Sequence, residues 1–168
     1  TTFGLKAAGW MSALDRAHAD VGRALSSALV LQLGGASGTL AALGDRALGI
    51  ATAMAEELEL AVPTLPWHAH RDRLGTLACT LGVAVGTMGK IARDIALLAQ
   101  TEVAEASEAQ AEGRGGSSTM PQKRNPVGAS VILAAATRAP GLVATMLVAM
   151  PQEHERALGG WQAEWETM

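Results

Sequence analysis

Leu74, Leu77, Leu81, Ala84, Met88, Ile91, Ile95 and Leu98 recur at alternating intervals of three and four residues. That spacing puts all eight on one stripe of an α-helix and is incompatible with a pleated strand. A continuous helix over Asp72 to Thr101 would run about 45 Å at a rise of 1.5 Å per residue. Gly82, Gly86 and Gly89 lie inside it, and each costs a helix about 1 kcal/mol relative to alanine. Close approach of a neighbouring helix would offset that cost. A stripe this long exceeds what one small domain readily covers, so the pattern predicts self-association.

The rest of the chain reads as helix as well. Residues 5–33 carry helical periodicity and stop at the Gly34-Gly35-Ala36-Ser37-Gly38 break. A second helix is expected over 39–60, ahead of Pro63 and Pro66, and a fourth over 126–150, kinked by Pro140. Residues 102–116 are polar and glycine-rich, and Pro151 opens a last segment. No period-two alternation is long enough for a strand, so the predicted class is all-α, a long-helix bundle. Aromatic residues make up only 3% of the chain against 49% apolar overall, which suits closely spaced helices.

Charge and cysteine content narrow the function classes. A net charge of −3 with scattered Lys and Arg gives no nucleic-acid footprint. Cys79 is the single cysteine and has no internal partner, in keeping with a reducing, cytoplasmic setting. Residues 24–44 carry no charge, but Ser26, Ser27, Gln32 and the glycine break argue against a membrane span. His68 and His70, spaced i, i+2, lack a third ligand at convincing spacing, so no metal is expected. The chain starts at Thr1-Thr2 and stops inside an amphipathic pattern, and residues 1–168 are expected to form one domain cut from a longer protein.

Chemistry concentrates in one stretch, Gly113 to Val127, GRGGSSTMPQKRNPV. Glycines at 113, 115 and 116 permit a bend, Ser117 and Ser118 supply hydroxyls, and Lys123, Arg124 and Asn125 supply cations and an amide. Such a combination suits a carboxylate-bearing substrate. The stretch resembles the signature loop of the fumarase/aspartase superfamily, Gly-Ser-Ser-x-Met-Pro-x-Lys-x-Asn-Pro, at every fixed position. The resemblance implies the central helical domain of that superfamily. It implies that Ser117 is the catalytic base at a carbon next to a carboxylate. It further implies that Ser118, Met120, Lys123 and Asn125 meet substrate. Asn125 is also placed to cap the following helix.

The likeness extends from Thr2 to Trp165. Arg71-Asp72-Arg73 resembles a helix start near the active site in this superfamily, with Trp67 beside it, and Glu155-Arg156 resembles a substrate-binding step. Two branches fit, adenylosuccinate lyases and the bacterial 3-carboxy-cis,cis-muconate cycloisomerases. The lyase branch holds a nucleotide phosphate with a serine and an arginine, at the positions of Trp161 and Trp165 here. Indoles cannot replace them, so the chain resembles the cycloisomerase branch more. What this implies is a cofactor-free, metal-free reaction on a small polycarboxylate, in a homotetramer whose active sites draw loops from three subunits. A fragment of this kind would be inactive alone. A non-catalytic helical scaffold is the reading from another class.

Overall fold

The computed structural model describes residues 1–109, 115–116, 119–120, 123–155 and 158–167. Its regular elements are helical: α1 (Phe3–Ala28), a 3-10 turn (Ala41–Arg46), α2 (Ala47–Glu57), α3 (Asp72–Leu98), α4 (Val127–Ala149) and a second 3-10 turn (Trp161–Glu164). Among the described residues, strand-like pairing is limited to two isolated bridges, Val30 with Ala61 and His70 with Pro151. The chain forms two compact units, one of Thr1–His18 and Leu81–Pro140, the other of Ala19–Thr80 and Gly141–Met168.

The first two predicted helices are shorter than their periodicity suggested. α1 ends at Ala28 because the next residues pair with a distant segment. Leu31 N–H donates to the Ala61 carbonyl (2.8 Å) and Ala61 N–H to that of Leu29 (3.1 Å). This extended stretch lets Leu31, 3% exposed, pack with Ala51 and Ala55 of α2. The second helix starts late. Gly44 has φ 55° and ψ −145°, a backbone that side-chain-bearing residues resist, and it kinks the 3-10 turn just ahead of α2.

α3 ends near its expected boundary but packs through an unexpected face. The buried positions on it are Gly75 and Ala78 in one unit and Gly89 and Ala92 in the other. A Cβ built on Gly89 would lie 2.6 Å from the Ala136 methyl of α4. One on Gly75 would lie 2.6 Å from Met150 Sδ. Small residues let helix backbones approach closely and collect dispersion contacts along their length. The leucine-rich stripe is only partly covered inside the chain: Leu81 is 44% and Met88 41% exposed, and its other members are half-buried. Gly86 meets nothing within 4 Å, so of the glycines read as helix-approach sites it is not one.

Candidate functional site

The signature loop enters α4 through a neck whose geometry starts at the end of α3. Val103 and Ala104 fold back on Gln100, and the N–H groups of Glu105 and Ala106 both donate to the Leu98 carbonyl (3.0 and 3.2 Å). The chain then returns so that Glu108 meets the first turn of α4. Its Oε2 accepts from Gly128 N–H at 2.9 Å and its Oε1 from Ala129 N–H at 2.8 Å. First-turn N–H groups have no partner within their own helix, and a carboxylate there also answers the positive end of the helix dipole. A Cβ on Gly128 would stand 3.2 and 3.3 Å from those two oxygens, so glycine keeps the seat open.

A second tie closes the loop itself. Asn125 N–H donates to the Gly115 carbonyl at 2.8 Å, which joins the two ends of the 115–125 stretch. Gly115 has φ 75°, and a Cβ there would sit 2.8 Å from the Asn125 carbonyl oxygen. Glycine is required by both conformation and space. Lys123 N–H donates to the Met120 carbonyl at 3.0 Å. Beside the neck is a half-open cavity of about 220 Å³, lined in part by Ser107, Glu108, Gly115, Arg124 and Asn125.

Lys123, Arg124 and Asn125 are all exposed, and Met120 is 44% exposed. Thus Met120, Lys123 and Asn125 are exposed residues of one loop. Arg124, although exposed, also contributes to the cavity wall. The expected capping role of Asn125 is corrected: the Gly128 and Ala129 N–H groups are received by Glu108. Ser117, Ser118 and Arg156 lie outside the described residues, as does Pro121.

Trp67 belongs to the other unit and is tied down structurally. Its indole N–H donates to the Leu31 carbonyl at 2.9 Å, and the Arg73 guanidinium lies 5.9 Å over its ring. Arg73 also donates to the Ser27 carbonyl at 2.7 Å. Its neighbour Arg71 makes a bidentate pair with Glu164, which is only 2% exposed; Nε–Oε1 is 3.0 Å and a terminal nitrogen meets Oε2. Asp72 opens α3 as an acid in its first turn. His68 packs edge-on against Trp161, whose ring in turn meets Trp165. Among the described residues, no group of three His, Cys, Asp or Glu side chains is gathered as a metal site would need.

Sequence reasoning missed Glu108 and Glu164. Glu108 lies in a polar stretch read as a flexible approach, and an acid 20 residues ahead of the N–H group it receives leaves no periodic mark. Glu164 left no signal either, since Arg71, 93 residues away in sequence, reaches it only through the fold.

Comparison with known proteins agrees with the loop. Residues 1–141 match a family model described as lyase. Across 167 residues the chain is 59% identical to the 3-carboxy-cis,cis-muconate cycloisomerase of Pseudomonas aeruginosa, covering 99% of this chain and 36% of that protein. For the enzyme of the same name from Pseudomonas putida the identity is 54% over 167 residues, covering 99% of this chain and 40% of the relative. The crystal structure of the 3-carboxy-cis,cis-muconate lactonizing enzyme from Pseudomonas putida superposes with a TM-score of 0.90 at 53% identity, covering 99% of this chain and 36% of that one. The chain therefore spans about a third of the length of the relatives it matches. With the family model matched from end to end of the signature loop and a helical fold shared with solved relatives, the chain belongs to the lyase family of the fumarase/aspartase superfamily.

Proposed function

We propose that this chain supplies the signature-loop portion of a cycloisomerase that interconverts 3-carboxy-cis,cis-muconate and a carboxymuconolactone, a step in aromatic catabolism. The observation that carries the reading is 54–59% identity to cycloisomerases along 99% of the chain, with every fixed position of the loop intact. In the lactonizing direction a carboxylate oxygen adds across a double bond while a carbon next to another carboxylate gains a proton. In reverse, Ser117 removes that proton and the carboxylate leaves. The substrate carboxylate carries aci-carboxylate character midway, when Lys123 charge and Asn125 N–H groups act most strongly. Ser118, Met120, Arg156 and Trp67 complete the proposed contacts. No metal or cofactor is required by this scheme.

The same reading makes the protein a homotetramer with shared active sites. Lys123 and Asn125 are exposed here, and residues from other subunits would enclose them. α3 and α4 are both long and apolar enough to cross a bilayer by length and composition, yet core helices of soluble bundles pass the same test. Subunit packing is the reading that accounts for them, because the α3 stripe carries half-exposed leucine and isoleucine. A cytoplasmic location belongs to the same proposal. Ultraviolet assays of the full protein with 3-carboxy-cis,cis-muconate and with adenylosuccinate test it. Turnover of the first alone is expected, and comparable turnover of the second, or of neither, would overturn it.

A further inference from the structure

We infer that Glu108 is a positioning residue for Asn125, acting through the first turn of α4. The inference rests on the proposed role of Asn125 but concerns a residue that role does not involve. Asn125 stands two residues ahead of the helix, with its backbone held from one side by the Gly115 carbonyl at 2.8 Å. From the other side the helix start is held by both Glu108 oxygens, at 2.9 and 2.8 Å. The part-buried carboxylate faces Gly128, where added bulk would stand 3.2 Å from it. Glu108 and Asn125 also border the same 220 Å³ cavity.

A carboxylate gripping two successive N–H groups fixes both the height and the rotation of the helix start, which one neutral acceptor would not. Charge-assisted bonds of this kind are about twice as strong as neutral ones. Asn125 leaves this anchored turn by way of Pro126, whose ring restricts the intervening backbone. The position of the Asn125 amide relative to reacting carboxylate is thereby set from Glu108, without Glu108 touching substrate.

The test uses the full protein with Glu108→Gln and Glu108→Ala. Glutamine keeps the length but presents one acceptor oxygen, with its second terminal atom a donor aimed at an N–H. Three readings are taken: amide hydrogen exchange at Asn125, Gly128 and Ala129, steady-state kinetics with 3-carboxy-cis,cis-muconate, and thermal stability. Exchange at all three amides should quicken in Glu108→Gln. Its kcat should fall on the order of 10- to 100-fold with KM little changed, since misplacement near 1 Å costs about that much. A KM-silent loss separates positioning from general destabilisation, and Glu108→Gln keeps the test open if the alanine variant fails to fold. Faster exchange with unaltered kcat would reduce Glu108 to a helix cap and overturn the inference. Unaltered exchange, whatever the kinetics, would overturn it too. If the wild-type protein did not turn over this substrate, the functional reading would fail, while the exchange arm would still decide whether Glu108 holds Asn125.

Discussion

Gly89 and Gly86 lie three residues apart on α3, and replacing each with alanine should move stability in opposite directions. Helix propensity favours either change by about 0.8–1.0 kcal/mol. At Gly86 nothing lies within 4 Å of the new methyl, so the full gain should appear. At Gly89 the new methyl would stand 2.6 Å from that of Ala136. Ordinary carbon contacts are about 3.5–4.0 Å, so the two helices must part by roughly 1 Å. Ala136 cannot rotate aside, because its only carbon is fixed to the backbone of α4. Overpacking of this kind costs about 1–3 kcal/mol, which cancels or exceeds the propensity gain. The gap between the variants should therefore be about 1–3 kcal/mol, with Gly86→Ala the more stable. Gly75→Ala should fall between them, since the clashing atom is the flexible Sδ of Met150. Urea unfolding followed by far-ultraviolet circular dichroism, at one fixed protein concentration, measures all three. Equal stabilisation by Gly89→Ala and Gly86→Ala would refute the close α3–α4 approach.

In the full protein Ser117→Ala should lower turnover about 10²–10⁴-fold, far more than Ser118→Ala, with both variants folded. Steady-state kinetics checks this, and a larger loss at Ser118 would reassign the base. Lys123→Met should reduce kcat more than it reduces melting temperature, since the charge is needed as the aci-carboxylate forms; the opposite pattern would make it a structural cation. Met88→Asp should disrupt self-association in sedimentation, because an unpaired buried charge costs several kcal/mol, and unchanged assembly would remove the α3 stripe from the interface. Asp94 accepts from Lys90 and from Trp10 Nε1 (2.9 Å), and its carboxyl is held below the usual aspartate value chiefly by the Lys90 bond. A depressed folded-state pKa stabilises above the unfolded value, about 3.9, and the benefit is lost as pH falls through the folded value. Asp94→Asn should thus be less stable than wild type at neutral pH, with the difference closing in strong acid, as pH-dependent unfolding would reveal.

What the sequence determined by itself was periodicity and chemistry that lie close together along the chain. Three- and four-residue spacing predicted α3 to within a few residues of its end, and α4 begins and ends one residue inside the predicted span. The signature loop was legible because its hydroxyls, cation, amide and glycines are neighbours in sequence, and Gly115 proves to need its glycine for the bond to Asn125. Tertiary structure decided everything that depended on distant partners. Ala61 turned residues 29–31 from helix to extended backbone, because a buried Leu31 needed paired main-chain groups around it. Which face of α3 packs within the chain was also settled there, since Gly75, Ala78, Gly89 and Ala92 can be approached closely while leucines cannot. Periodicity marks an apolar stripe without saying what will cover it. Glu108 and Glu164 were silent for the same reason: a carboxylate's role depends on the N–H groups or guanidinium the fold delivers to it, and those lie 20 and 93 residues away.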